Sequence, residues 1–236
     1  MILSKKSNLP FLPFSPPSYT NTEKEAVAGC IDRSWTGTGI KTKQFEEEFA
    51  SYKEAPYATA LSSCTSALFL SLKTLGIGKG DEVITTALTF CSTVNIIMHC
   101  GAKPILCDIE ENTKNIDCTK IEELINSKTK AIIPVHYAGY PCNMDKLTEI
   151  AKNYELYIVE DCAHAIESKF KGQHCGTFGD IGCFSFYATK NIAIGEGGMA
   201  ISNSESLINK ISTLGLHGLS RDAWKRFSSG SKKQYD

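Results

Sequence analysis

Lys190 stands in the run from Asp180 to Met199, where an apolar stretch, Ile181 to Phe186, gives way to small and polar residues and then to Gly195, Gly197 and Gly198. A lysine in a tight loop directly after a buried strand is desolvated, which lowers its pKa and makes its amine available to attack a carbonyl as a Schiff-base nucleophile. Asp161, twenty-nine residues earlier, follows a second apolar stretch, Leu156 to Val159. That places a carboxylate at the carboxyl end of a strand, the edge where ligands bind in open α/β sheets. Ser62-Ser63-Cys64-Thr65-Ser66 lies between a strand and a helix, so its amides and hydroxyls can converge on an anion at a helix N-terminus. Phe90, after a threonine-rich turn, offers an aromatic face to a flat heteroaromatic ring. Each residue also has a plain reading: a solvated lysine, ordinary helix caps at Asp161 and the serines, a core phenylalanine. The pairing of Asp161 with Lys190, each behind an apolar strand, is what chance supplies least readily.

These residues need a scaffold, and its elements alternate along the chain. Residues 10 to 19, rich in proline and aromatics, read as an extended arm. A helix follows from Thr20 to Asp32, with Thr20, Asn21 or Thr22 as cap, and a second from Lys43 to Tyr52 sets Phe45, Phe49 and Tyr52 on one face. After a strand at Tyr57 to Leu61, strands near 82–86, 103–107, 130–135 and 156–160 alternate with helices near 65–75, 91–100, 119–126 and 143–153. This is the pattern of a mostly parallel sheet between helices. Strands near 182–187 and 198–202 have no long helix between them, so the first can join the parallel set and the second can run antiparallel. A helix near 204–214 and a polar tail from Arg221, containing Ser228-Ser229-Gly230-Ser231, complete the chain.

The run Gly182-Cys183-Phe184-Ser185-Phe186 with Thr189-Lys190-Asn191 and Glu196-Gly197-Gly198 resembles the Schiff-base segment of the DegT/StrS family of nucleotide-sugar aminotransferases. The resemblance extends through Leu61-Ser62-Ser63-Cys64-Thr65-Ser66-Ala67-Leu68, Gly80-Asp81-Glu82-Val83-Ile84, Thr89-Phe90, Ala131-Ile132-Ile133-Pro134-Val135-His136 and Glu160-Asp161-Cys162-Ala163-His164-Ala165. It covers nearly the whole chain, in order. It implies the large domain of a fold-type I enzyme, an α/β fold with a mixed, mostly parallel sheet sandwiched by helices. That domain would span 20–220, after an arm at 1–19 and before a tail at 221–236.

The implied cofactor is pyridoxal 5′-phosphate (PLP). By resemblance Lys190 forms the Schiff base, while Ser63, Cys64, Thr65 and Ser185 contact the phosphate. Phe90 stacks on the pyridine ring, and His164 meets the phenolic oxygen. Asp161 faces the ring nitrogen and keeps it protonated as an electron sink. Cys64 stands where the family usually has glycine, so a side chain must be accommodated beside the phosphate. Arg33 to Thr36 align with a stretch that reaches the sugar nucleotide, and His217 to Trp224 resembles a loop of members that aminate a 4-keto carbon. The implied reaction moves an amino group, with glutamate as donor, to a nucleotide-linked keto sugar for surface polysaccharide or glycan biosynthesis. A sugar dehydratase of the same family has histidine at the lysine position, which Lys190 argues against.

Family members continue into an asparagine-containing segment that reaches across a homodimer, and then into a C-terminal small domain, both beyond Asp236. Residues 1–236 taken alone are therefore expected to bind PLP more weakly than a longer form. A reading of another class is a non-catalytic PLP-binding remnant with a regulatory role, separated by whether the coding frame continues past Asp236.

Composition is compatible with this reading. With 236 residues, 42% hydrophobic content and a net charge of −1, the chain can bury a sizeable core and has no basic excess to attract nucleic acid. Its first eighteen residues mix lysines, prolines and phenylalanines, unlike a signal peptide or a membrane span, which leads to the expectation of a soluble, cytoplasmic protein. The ten cysteines are scattered without a Cys-x-x-Cys pair and read as reduced core and surface thiols, and no Cys/His spacing suggests structural zinc.

Overall fold

The computed structural model describes residues 11–219. Helix α1 (Asn21–Asp32) starts at a capping box in which the Thr20 hydroxyl accepts from the Thr22 amide at 3.2 Å and the Glu23 carboxylate accepts from the Thr20 amide at 2.6 Å. It buries none of its residues, and Val27 and Ile31 stay exposed. Helix α2 (Ile40–Tyr52) packs Phe49 against Phe184 and Phe186, with ring centroids 5.1 and 5.6 Å apart. Tyr52 lies farther out, against His174.

The remaining elements are β1 (Tyr57–Leu61), α3 (Cys64–Thr74), β2 (Glu82–Thr86), α4 (Cys91–His99), β3 (Lys103–Cys107), β4 (Thr129–Ile132), α5 (Met144–Tyr154), β5 (Tyr157–Asp161), β6 (Lys169–Phe170), β7 (Gln173–His174), β8 (Ile181–Ser185), β9 (Gly198–Ser202) and α6 (Glu205–Gly215). A seven-stranded sheet runs in the order β1-β9-β8-β5-β4-β2-β3. The pairs from β8 to β3 are parallel, and β9 is antiparallel to both β8 and β1. The mostly parallel sheet and the reversed last strand are as the sequence suggests.

Side chains alternate across the strands, so neighbours enter opposite layers. Val83, Ala131 and Val159 face Leu68 and Leu72 of α3, Ile97 of α4 and Ile211 of α6. Ile84, Ile132 and Ile158 face Leu147 and Ile150 of α5, together with Ile121. Strands buried on both faces explain the near-continuous apolar runs at β5 and β8.

The helix expected at 119–126 does not form. The Asp117 carboxylate accepts from the Thr119 amide at 3.0 Å and hydroxyl at 2.6 Å, holding a turn there, and a single 3₁₀ turn follows at Glu122–Leu124. Ile121, Leu124 and Ile125 have helical spacing, but one tight turn also delivers them to the core, and Asn126 then turns the chain into β4. The β6–β7 hairpin was not anticipated. Its loop is Lys171-Gly172 with φ of 50° and 88°, the left-handed pair that a two-residue hairpin needs.

A buried carboxylate ties the lower loops to the sheet. Both Glu160 oxygens are used: Oε1 accepts from the Phe178 and Gly179 amides at 2.8 Å, and Oε2 accepts from the Gly176 amide at 2.7 Å and from His136 Nε2 at 3.0 Å. The Cys142 amide donates to His136 Nδ1 at 3.0 Å, which fixes the proton on Nε2. Glu160→Gln replaces an acceptor by a donor among amides that only donate. With each bond to a charged group worth about 1.5–3 kcal/mol, a loss of at least about 3 kcal/mol is expected in urea unfolding. A loss under about 1 kcal/mol would show the network to be incidental. Among the described residues no helix is long and apolar enough to cross a membrane.

Candidate active site

The parallel strands β2, β4, β5 and β8 end on one edge of the sheet, and β1, opposed to the reversed β9, points the same way. The turn into α3, the turn into α4, Asp161 and the loop after β8 therefore meet at one place. They enclose a cavity of about 530 Å³ lined by Ser63, Cys64, Thr65, Phe90, Asp161, His164, Ser185 and Lys190, the eight residues assigned to a cofactor from sequence. Arg33 and Thr36 are exposed beyond α1 and do not line it; the Arg33 guanidinium turns back toward Cys30 of its own helix. His217 to Leu219 are described but absent from the lining, and the rest of that loop lies outside the described residues. A more open groove of about 670 Å³ at the opposite edge, near Lys152, Asp180 and Ser204, has no comparable nucleophile.

Lys190 sits in a loop closed on itself. Its amide donates to the Tyr187 carbonyl at 2.9 Å, the Ala188 amide to Gly195 at 3.1 Å and the Ile194 amide to Phe186 at 2.9 Å. Gly195 makes the return possible at φ 95°, a conformation side chains resist. Partial burial lowers the Lys190 pKa, against the opposing pull of Asp161 and Cys64, so its neutral amine is reached at a lower pH than on the surface. In the arm, the Ser15 hydroxyl donates to the Thr189 carbonyl at 3.2 Å.

Asp161, 4% exposed, is pinned through both oxygens. Oδ2 accepts from the Thr93 hydroxyl at 2.8 Å; Oδ1 accepts from the Ala163 amide at 3.1 Å and, weakly, from the Cys64 thiol at 3.9 Å. Burial and the adjacent carboxylate push the Cys64 thiol well above its ordinary pKa, so it is a neutral neighbour and not a nucleophile. The side chain that replaces the expected glycine is thus accommodated toward Asp161. Burial, reinforced by Lys190, lowers the pKa of His164 and favours neutral imidazole. Phe90 is 76% exposed at the head of α4, which removes the core-phenylalanine reading and leaves its ring bare to a ligand.

The first turn of α3 suits an anion. Ser63 caps the helix by accepting from the Ser66 amide at 3.1 Å, while the amides of Cys64 and Thr65 precede any intrahelical acceptor. The glycine cluster now has a reason. A Cβ on Gly198 would lie 2.3 Å from the Ser63 carbonyl carbon and 2.5 Å from the Cys64 nitrogen, so only glycine lets β9 pass behind the serine turn. Gly198→Ala should displace this turn and weaken phosphate-dependent binding by at least roughly tenfold, the loss of one charge-assisted bond. Phosphate-ester titration checks this, and unchanged affinity would exclude the close approach.

His136, Glu160 and Cys162 place ligand atoms within 4.8 Å of one another, a geometry open to a metal. The hydrogen bonds of His136 and Glu160 already occupy their lone pairs, which makes this cluster a structural hub.

The model of the DegT/DnrJ/EryC1/StrS aminotransferase family matches residues 17–232. The spore coat polysaccharide biosynthesis protein SpsC of Bacillus subtilis is 48% identical over 96% of the chain and 58% of its own length. GDP-perosamine synthase of Escherichia coli O157:H7 is 44% identical over 85% of the chain and 55% of its own length. Among solved structures, an aminotransferase from Psychrobacter cryohalolentis superimposes with a TM-score of 0.88 at 38% identity, covering 94% of this chain and 57% of that one. The chain thus spans somewhat more than half the length of the relatives it matches.

Proposed function

This chain belongs to the DegT/DnrJ/EryC1/StrS aminotransferase family, and we propose that it carries the cofactor-binding and proton-transfer half of a PLP-dependent enzyme that aminates a nucleotide-linked keto sugar. The observation carrying this reading is the convergence of Lys190 and Asp161 with the Ser63 turn and bare Phe90 in one cavity. These residues fit the cofactor: Ser63, Thr65, Ser185 and the α3 amides would hold its phosphate, Phe90 its ring face, Asp161 its ring nitrogen and His164 its phenolic oxygen. Bound there, PLP supplies an electron sink for the carbon that loses a proton.

The chain's own residues supply the rest. Asp161, held from two sides, presents a fixed negative charge that stabilises a cationic nitrogen. Lys190 Nζ, with its pKa lowered by burial, would anchor the group as a nucleophilic amine and would move a proton, taking one from the donor's α-carbon as base and returning one as acid in the second half-reaction. Neutral His164 can donate or accept one hydrogen bond without adding charge.

Glutamate is the proposed donor, and the sugar reading is supported by relatives named for polysaccharide biosynthesis and GDP-perosamine synthesis. A homodimer of the whole protein in the cytoplasm completes the proposal. The test is a panel of nucleotide-linked keto sugars with glutamate and PLP, read by mass spectrometry for replacement of a carbonyl by an amine. Amination of at least one keto sugar is expected. PLP binding without amination of any sugar, but with transfer to simple keto acids, would overturn the substrate class.

A further inference from the structure

Thr93 is fully buried in the first turn of α4 and points its hydroxyl at Asp161. An ionised carboxylate can only accept, so in the 2.8 Å contact Thr93 Oγ1 must donate. The proton of Thr93 is thereby committed, and the 2.8 Å contact between Thr89 and Thr93 must be one in which Thr89 donates. Thr89 lines the cavity, and its own proton is also spent. The result is a directed chain, Thr89 to Thr93 to Asp161, whose outer end meets a ligand as an acceptor only.

We infer that Thr93 is a positioning residue that fixes the direction of the Asp161 carboxylate, and that Thr89 extends this restraint to the cavity wall. This inference rests on the PLP reading of the site. The other bonds to Asp161 from the described residues both reach Oδ1, from the Ala163 amide and the weak thiol donor of Cys64, so among the described residues Thr93 alone holds Oδ2. Without it the carboxylate is free to turn about the Oδ1 contacts. Thr89 stands before the extended N-cap Phe90, outside the helix, and the turn there brings its hydroxyl to Thr93 in the first helical turn.

The test exchanges hydroxyl and methyl separately. Thr93→Val keeps the shape and removes the donor; Thr93→Ser keeps the donor and removes the methyl group. PLP affinity, measured by absorbance titration of the protein, is expected to fall roughly ten- to hundredfold in Thr93→Val and to stay within about threefold in Thr93→Ser. Thermal melting without PLP gives a second readout, in which Thr93→Val should be lowered and rescued by Thr93→Ser. In an Asp161→Ala background, Thr93→Val should change affinity by less than about twofold, since the partner is gone. The reverse pattern, with valine tolerated and serine impaired, would show a packing role and overturn the inference. An equal loss in the Asp161→Ala background would also overturn it. If the unsubstituted protein binds no PLP, the reading of the site fails first, and the inference with it.

Discussion

Lys190→Ala is expected to abolish covalent capture of PLP. Borohydride reduces an imine to a stable amine, so the pyridoxyl mass should appear on the peptide containing Lys190 in the unsubstituted protein and nowhere in the variant. The size of the effect follows from the site. Among the described residues lining the cavity, Lys190 is the one lysine. The other sheltered lysine, Lys53, is fully buried and donates to the Ile166 carbonyl at 2.8 Å on the α2 side of the sheet. Burial lowers the Lys53 pKa as well, so lowered basicity alone does not mark a nucleophile; access to the cavity does. Pyridoxyl mass on Lys53 or on any surface lysine would overturn the assignment.

Asp161→Asn tests the electronic role with almost no change of shape. Asparagine can still accept from the Ala163 amide through its one oxygen, and its NH2 then faces Thr93, whose hydroxyl can turn to accept, so PLP is still expected to bind while the negative charge is lost. Amino transfer in single-turnover experiments should fall by several orders of magnitude, with each tenfold step equal to about 1.4 kcal/mol of barrier. A near-normal half-reaction would reduce Asp161 to a turn-forming residue.

The parts of this site that were readable in the sequence are those where one residue type is chemically costly to place by accident. A lysine behind a buried strand and a carboxylate at a strand end are such cases, and the structure brings both to one cavity. The alternation of apolar runs sufficed for the sheet because strands covered on both faces must be apolar throughout. Thr93 gave no signal: a threonine inside an apolar helix reads as filler, and only the 2.8 Å contact with Oδ2 distinguishes it. Glu160 carries no such signal beside Asp161, since three of its four partners are backbone amides that no side-chain pattern encodes. The missing helix at 119–126 shows the opposite error, a helical spacing satisfied by one tight turn because Asp117 and Asn126 hold the backbone at both ends.

The pairing of β1 with β9 carries a consequence for biosynthesis. Leu61 lies beside Gly198, and β1 has no other neighbour in the sheet order. A nascent chain that has delivered β1 to β5 can assemble the parallel strands β3, β2, β4 and β5, yet its first strand still lacks a partner and the serine turn has nothing behind it. The serine turn gains its backing only after residue 202 has emerged, through a contact of long sequence separation that forms slowly. Ligand binding is therefore acquired at the end of folding, and until then the hydrogen-bonding edge of β1 stands open to pairing with other chains, a window in which chaperone protection matters most.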